Sequence, residues 1–119
     1  MTYQQVYDVV AGIRVNGKLL PCAYYQYSTD DPQNPPPPPP YLCYYYEGSD
    51  DFEADNCNYQ RIRPLTLELY TDTKDFAAEQ AVEDALAAAG LVYDRTETYI
   101  QSERMYMVVY TTDIIITEE

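Results

Sequence analysis

Apolar residues recur along the chain at two different spacings, and the switching between them predicts the order of elements. Over residues 2–13, Tyr3, Val6, Tyr7, Val10 and Ile13 fall three or four apart, which gathers them into one stripe on a short amphipathic helix. Thr2 is suited to cap that helix, and Gln5 stands three residues on, where a capping box places it. Asn16-Gly17 then reads as a turn. Residues 23–27 and 41–47 have the aromatic content of strands. Gly48 to Asn58 reads as an acidic loop, and residues 59–70 as a third strand. In that strand Leu65, Leu67 and Leu69 point one way while Thr66, Glu68 and Tyr70 point the other, so one face of the sheet is buried.

The clearest helix runs from about Thr73 to Ala89. Asp72 is a suitable N-cap, and Asp75 puts negative charge in the first turn, where the helix dipole favours it. Val82, Ala85, Leu86 and Ala89 continue a stripe begun by Phe76, with Glu79, Glu83 and Asp84 off it, and Gly90 supplies a left-handed stop. Two further strands, 92–100 and 105–116, are joined by a tight turn at Ser102-Glu103-Arg104. In the last one Tyr106, Val108, Tyr110, Ile114 and Ile116 share one face, and Met105, Met107, Val109 and Ile115 the other. A strand apolar on both faces is central in its sheet or covered on both sides, for instance by a neighbouring subunit. The expected fold is α+β: a mainly antiparallel sheet of about five strands with two helices packed on one face, in a single domain over residues 1–119.

One low-complexity segment, Asp30 to Pro40, lies inside that domain and ends in six consecutive prolines. Proline lacks an amide donor and fixes φ, so the run is expected as an extended polyproline II loop. Without flanking basic residues, and between two strand candidates, it reads as a stiff connection rather than a docking motif for an SH3-type groove. Composition narrows the functional classes. Twenty acidic against seven basic residues give a net charge of −13, with no histidine. That balance argues strongly against nucleic-acid binding by phosphate neutralisation, and fits plain solubility, a basic protein partner, or a surface that DNA passes without sticking. No apolar run approaches the ~20 residues that a bilayer requires, and the first residues lack the basic and apolar regions of a secretory signal, so the expected location is the cytosol and no membrane partner is expected.

Catalytic groups are scarce. Histidine, the usual general base, is absent, and the cysteines at 22, 43 and 57 have neither a basic neighbourhood nor metal-ligand spacing. They read as reduced thiols packed as small apolar groups. The segment Asp51-Phe52-Glu53-Ala54-Asp55 has the alternating acids of a calcium loop, but Asn56 and Ile62 stand where its turn glycine and bidentate glutamate belong. Neither an enzyme, nor a cofactor, nor a metal site is expected. The fifteen tyrosines are the most unusual feature, more than one small core buries with every hydroxyl satisfied, and they point towards interfaces.

Several weak motifs in a fixed order carry a family resemblance. They are Gly48-Ser49-Asp50-Asp51-Phe52-Glu53-Ala54-Asp55 with Tyr59; Leu67-Glu68-Leu69-Tyr70-Thr71-Asp72 with Lys74-Asp75; Glu79 with Val82-Glu83 and Leu86; Tyr99-Ile100 with Ser102-Glu103; and Met105-Tyr106 with Val108 and Tyr110. From Pro39 onward the chain resembles the small neck and tail-completion proteins of long-tailed bacteriophages and prophages, the tail terminators and head–tail joining proteins, and the opening helix fits as well. The long proline run departs from their usual one or two prolines. The resemblance implies a virion protein, assembled in the host bacterial cytoplasm, whose hexameric ring stacks on the last ring of the tail tube. Its partners would be the tail-tube protein and a head-closure protein, with DNA passing through the lumen without specific binding. Candidate interface or lumen residues are then Asp50, Asp51, Phe52, Glu53, Asp55, Tyr59, Tyr99, Glu103 and Tyr106, the acidic loop facing either the lumen or a ring neighbour. The competing reading of the charge is an acidic DNA mimic that inhibits a nucleic-acid-binding enzyme by filling its groove.

Overall fold

A computed structural model describes residues 1–27, 33, 35–48, 52–54 and 58–117, giving the backbone alone for 52–54 and 58–60. The elements follow in the order α1 (Tyr3–Ala11), β1 (Arg14–Val15), β2 (Lys18–Leu19), β3 (Cys22–Tyr24), β4 (Tyr41–Tyr46), β5 (Phe52–Ala54), β6 (Asn58–Thr71), α2 (Phe76–Ala88), β7 (Asp94–Ile100) and β8 (Met105–Ile116). The class is α+β, as expected. β1 and β2 form a small hairpin around Asn16-Gly17, and five strands build the main sheet in the order β3-β4-β6-β8-β7.

The antiparallel expectation holds for every pairing of the main sheet except one. β3 runs parallel to β4, with Cys22 opposite Leu42 and Tyr24 opposite Tyr44, so the sheet is mixed. Alternation within a strand says nothing about the direction of its neighbour, which is why the sequence left this open. Parallel neighbours need a crossover of a dozen or more residues, and the proline-rich segment spans that connection. The run is not extended throughout: residues 38–40 bend, and the Pro39–Pro40 peptide is cis. A second correction concerns the acidic stretch expected as a loop, part of which is strand β5, pairing Phe52 with Gln60 and Ala54 with Asn58.

The sheet is built on β6 and β8, antiparallel from Arg61 opposite Ile116 to Thr71 opposite Tyr106. Pro64 is tolerated inside β6 because its carbonyl, and so its missing donor, faces the β4 side, where β4 pairs only as far as Leu65; the carbonyl accepts from the Glu47 amide (2.9 Å) and the ladder with β8 is spared. β6, α2 and β7 form a split crossover, with β8 inserted between two strands that run the same way. One face of the sheet is covered by both helices. Val6 and Val10 of α1 and Ala78, Val82 and Leu86 of α2 close over Leu42, Tyr44, Leu65, Leu67, Leu69, Val108, Tyr110, Ile114 and Ile116.

Helix ends obey local chemistry. Thr2 and Gln5 form the expected capping box. The α2 cap is Asp75, whose carboxylate accepts from the Ala78 amide (3.0 Å); Asp72 bonds only the next amide, so the cap stands three residues later than the sequence suggests. Gly90 at φ +75° lets the Leu91 amide reach back to the Leu86 carbonyl (3.0 Å) and closes the helix. The expected α2 stripe is corrected as well: Phe76 is 71% exposed, while Glu79 is 4% exposed. Among the described residues no helix is long and apolar enough to cross a membrane.

Leu67 and Leu69 are fully enclosed between strand neighbours and helices, leaving no room for collapse. Leu67→Ala is expected to cost about 2–5 kcal/mol, read as a lower urea midpoint with an unchanged m-value.

Candidate interaction surface

The sheet has two faces of different chemistry, and each centres on a buried or half-buried carboxylate. Beneath the helices, where α2 meets β7, Glu79 lies 2.6 Å from the Lys74 ammonium and 2.6 Å from the Arg95 guanidinium. Glu97 adds contacts to Lys74 (2.7 Å) and Arg95 (3.0 Å), and Glu83 accepts from the Tyr110 hydroxyl (2.8 Å). Lys74, then Arg95, hold the Glu97 carboxyl below its ordinary value, so its contribution is present above the carboxylate range and is lost as pH falls through it. This network docks the polar edge strand β7 where an apolar stripe would otherwise be needed. Lys74→Met with Arg95→Met leaves Glu79 buried without a cation and should lower stability by about 3–5 kcal/mol, with each single variant costing clearly less in chemical denaturation.

Among the described residues the opposite face carries no helix. Along β4 it presents Tyr41, Cys43 and Tyr45, and along β6 Tyr70, Glu68 and Thr66 stand beside them. Glu68 lies between two ring pairs. Tyr25 and Tyr45 have centroids 5.2 Å apart, and Tyr41 stacks on Tyr70 at 5.1 Å and 23°. One member of each pair donates to the carboxylate, Tyr45 at 3.0 Å and Tyr70 at 2.7 Å. Tyr27 closes edge-on against Tyr41 at 5.4 Å. A groove of about 440 Å³ opens here, lined by Tyr25, Tyr45, Glu47, Glu68 and Tyr70 among others.

Around the same sheet edge, on the helix side, stand Tyr3, Tyr7, Tyr24, Tyr44 and Tyr46, with Tyr3 edge-on to Tyr46 and Tyr24 edge-on to Tyr44, both at 5.2 Å. With Tyr25, Tyr27, Tyr41, Tyr45 and Tyr70, ten of the fifteen tyrosines wrap the two faces of the β3–β4 margin. Among the described residues the outer strand of this margin is β3, which is only three residues long. Cys43 is buried and Cys22 half-buried within it: desolvation first, then the Glu68 charge, pushes Cys43 up to about 11, and desolvation raises Cys22.

The residues nominated from sequence that the structure describes fall at two ends of β6. Tyr99 and Tyr106 are cross-strand partners with rings 4.8 Å apart, and Glu103 is exposed in the adjoining turn. Lys74 lies 5.8 Å from the Tyr106 ring. Phe52, Glu53 and Tyr59 belong to the β5–β6 hairpin, where Glu53 is opposite Tyr59, roughly 40 Å of strand rise away from the Tyr106 end. Asp50, Asp51, Asp55 and Cys57 lie outside the described residues. Among the described residues no three His, Cys, Asp or Glu side chains converge as a metal site would require. Sequence reasoning missed Tyr25, Tyr41, Tyr45, Tyr70 and Glu68. The signal was present in the tyrosine runs and in the alternation that put Glu68 and Tyr70 on the second face, but not the pairing that brings β3 beside them. The chain matches no protein-family model, and no curated protein or solved structure aligns with it.

Desolvation first, then the bond to Glu68, raises the Tyr45 phenol to about 12 and the Tyr70 phenol further still; desolvation likewise takes Tyr27 to about 12. Groups raised in the folded state contribute stability that is fully present below the ordinary phenol value of 10 and is lost as pH rises through the folded value. Phenolate absorbance should therefore keep rising from pH 10 to about 12 while the urea midpoint falls over the same window; a single ionisation step near 10 with constant stability contradicts the tyrosine–carboxylate bonds.

Proposed function

We infer that the protein is a structural subunit of a bacteriophage neck, a tail terminator or head–tail joining protein that works as a hexameric ring around a DNA-conducting lumen and has no catalytic role. The observation that carries this reading is the tyrosine margin. Large phenol surfaces on both sides of one sheet edge suit a subunit contact, because tyrosine combines wide contact area with a hydrogen-bonding tip and little entropy to lose. Among the described residues the sheet ends in two edge strands, β3 at one margin and β7 at the other. Two different patches on opposite margins suit head-to-tail association, which closes into a ring when the rotation between subunits divides a full turn. The net charge of −13 suits a lumen that DNA crosses without adhering. The ordered motifs from Gly48 to Tyr110 favour the phage family over the DNA-mimic reading.

Electron microscopy of the protein mixed with the tail-tube protein of its own phage tests this. Six-fold rings on tube ends, with tube growth arrested, are the expected result; uncapped tubes of unrestricted length would overturn the terminator assignment. Tyr3→Ser with Tyr24→Ser, two half-exposed positions on the margin, should abolish ring formation while leaving the thermal midpoint unchanged.

A further inference from the structure

We propose that the groove between the two tyrosine pairs is a binding site for an arginine side chain on a basic segment of a partner protein. Glu68 supplies the specificity. A carboxylate offers about four lone-pair positions; the Tyr45 and Tyr70 hydroxyls take one on each oxygen, leaving one on each. A guanidinium fork offers two parallel N–H groups, one for each of those oxygens. No ion pair reaches Glu68 among the described residues, whereas Lys74 and Arg95 are engaged by Glu79 on the opposite face of the sheet. A half-buried negative charge with only neutral donors attracts a cation, and Glu47 on the groove wall adds to the attraction.

The rings select arginine among cations. A guanidinium stacks flat on aromatic faces while its edge forks to a carboxylate, and an ammonium does not combine the two geometries. Tyr25 and Tyr45 on one side and Tyr70, backed by Tyr41, on the other provide such faces next to Glu68. Tyr25 is held in the left-handed region at φ +72° and is 62% exposed as a residue. A bulky side chain there strains the backbone, and such strain gathers at ligand sites. Its amide donates to the Tyr44 carbonyl at 2.7 Å, which anchors its backbone at the wall of the groove. The proposal does not depend on ring assembly, and a chain that leaves tail tubes uncapped is still expected to bind.

The full chain, labelled for NMR, is titrated with an acetylated, amidated Gly-Gly-Arg-Gly-Gly peptide, with its citrulline counterpart, which is the same shape without charge, and with its lysine counterpart. The arginine peptide should shift the amides of Tyr25, Tyr45, Glu68 and Tyr70, the lysine peptide should bind more weakly, and the citrulline peptide should not bind. Glu68→Gln should weaken arginine binding about tenfold, as expected for losing a charge-assisted bidentate pair. Tyr25→Gly, which relieves the backbone and removes one wall, should weaken it several-fold without lowering the thermal midpoint, and Asp84→Asn on α2 should leave it unchanged. Absence of shifts at the groove, equal binding of citrulline, or equal weakening by Glu68→Gln and Asp84→Asn would each overturn the proposal, the last by revealing general attraction to an acidic chain.

Discussion

The pairing of β6 with β8 is the constraint on which the rest of the structure depends. It runs nearly the whole length of both strands and puts β4 on one flank and β7 on the other. Because side chains alternate with a period of two, this one register decides every residue's face. Leu65, Leu67 and Leu69 meet Val108 and Tyr110 under the helices, and the same choice sends Thr66, Glu68 and Tyr70 to the uncovered side. A slip of one residue would bury Glu68 among leucines and expose the core, so burial of the leucines is also what holds Glu68 between its phenols.

Much of this arrangement was legible in the sequence because it depends on local spacing. The capping box of Thr2 and Gln5, the alternation of Leu65 to Leu69, the glycine stop at Gly90 and the central position of β8 are decided by residues within a few positions of one another. The misread features depend on partners far along the chain. Glu79 looked like a solvent-facing acid until Lys74 and Arg95, the latter sixteen residues on, closed over it, and only such partners make a buried carboxylate tolerable. Phe76 looked like the start of an apolar stripe, but its place just past the Asp75 cap puts it in solvent beside Lys74. The parallel course of β3 was hidden for the same reason, and with it the assembly of the tyrosine groove.

Two carboxylates at the centres of two faces show how differently one chain treats the same group. Glu79 is nearly inaccessible and is neutralised internally by two cations, which makes it part of the fold. Glu68 is half-buried and is met by phenols that remain neutral at any physiological pH, since burial and the bond to Glu68 itself raise their ionisation. Neutral donors orient a carboxylate without cancelling its charge. The field of Glu68 is therefore left directed out of the groove.

That difference bears on why so many tyrosines sit at one margin. A core of this size needs the enclosed rings of Tyr44 and Tyr110, but folding alone gives no reason to hold Tyr25 in a strained backbone with its ring mostly in water, or to aim two phenols at one acid. The ring pairs and the orientation of Glu68 are set by the fold itself, so the cation proposed for this groove would meet a site whose ordering cost was met during folding. Preorganisation of this kind is more useful to a contact that must form repeatedly in one geometry than to solubility, which a dispersed surface of acids provides without any fixed arrangement.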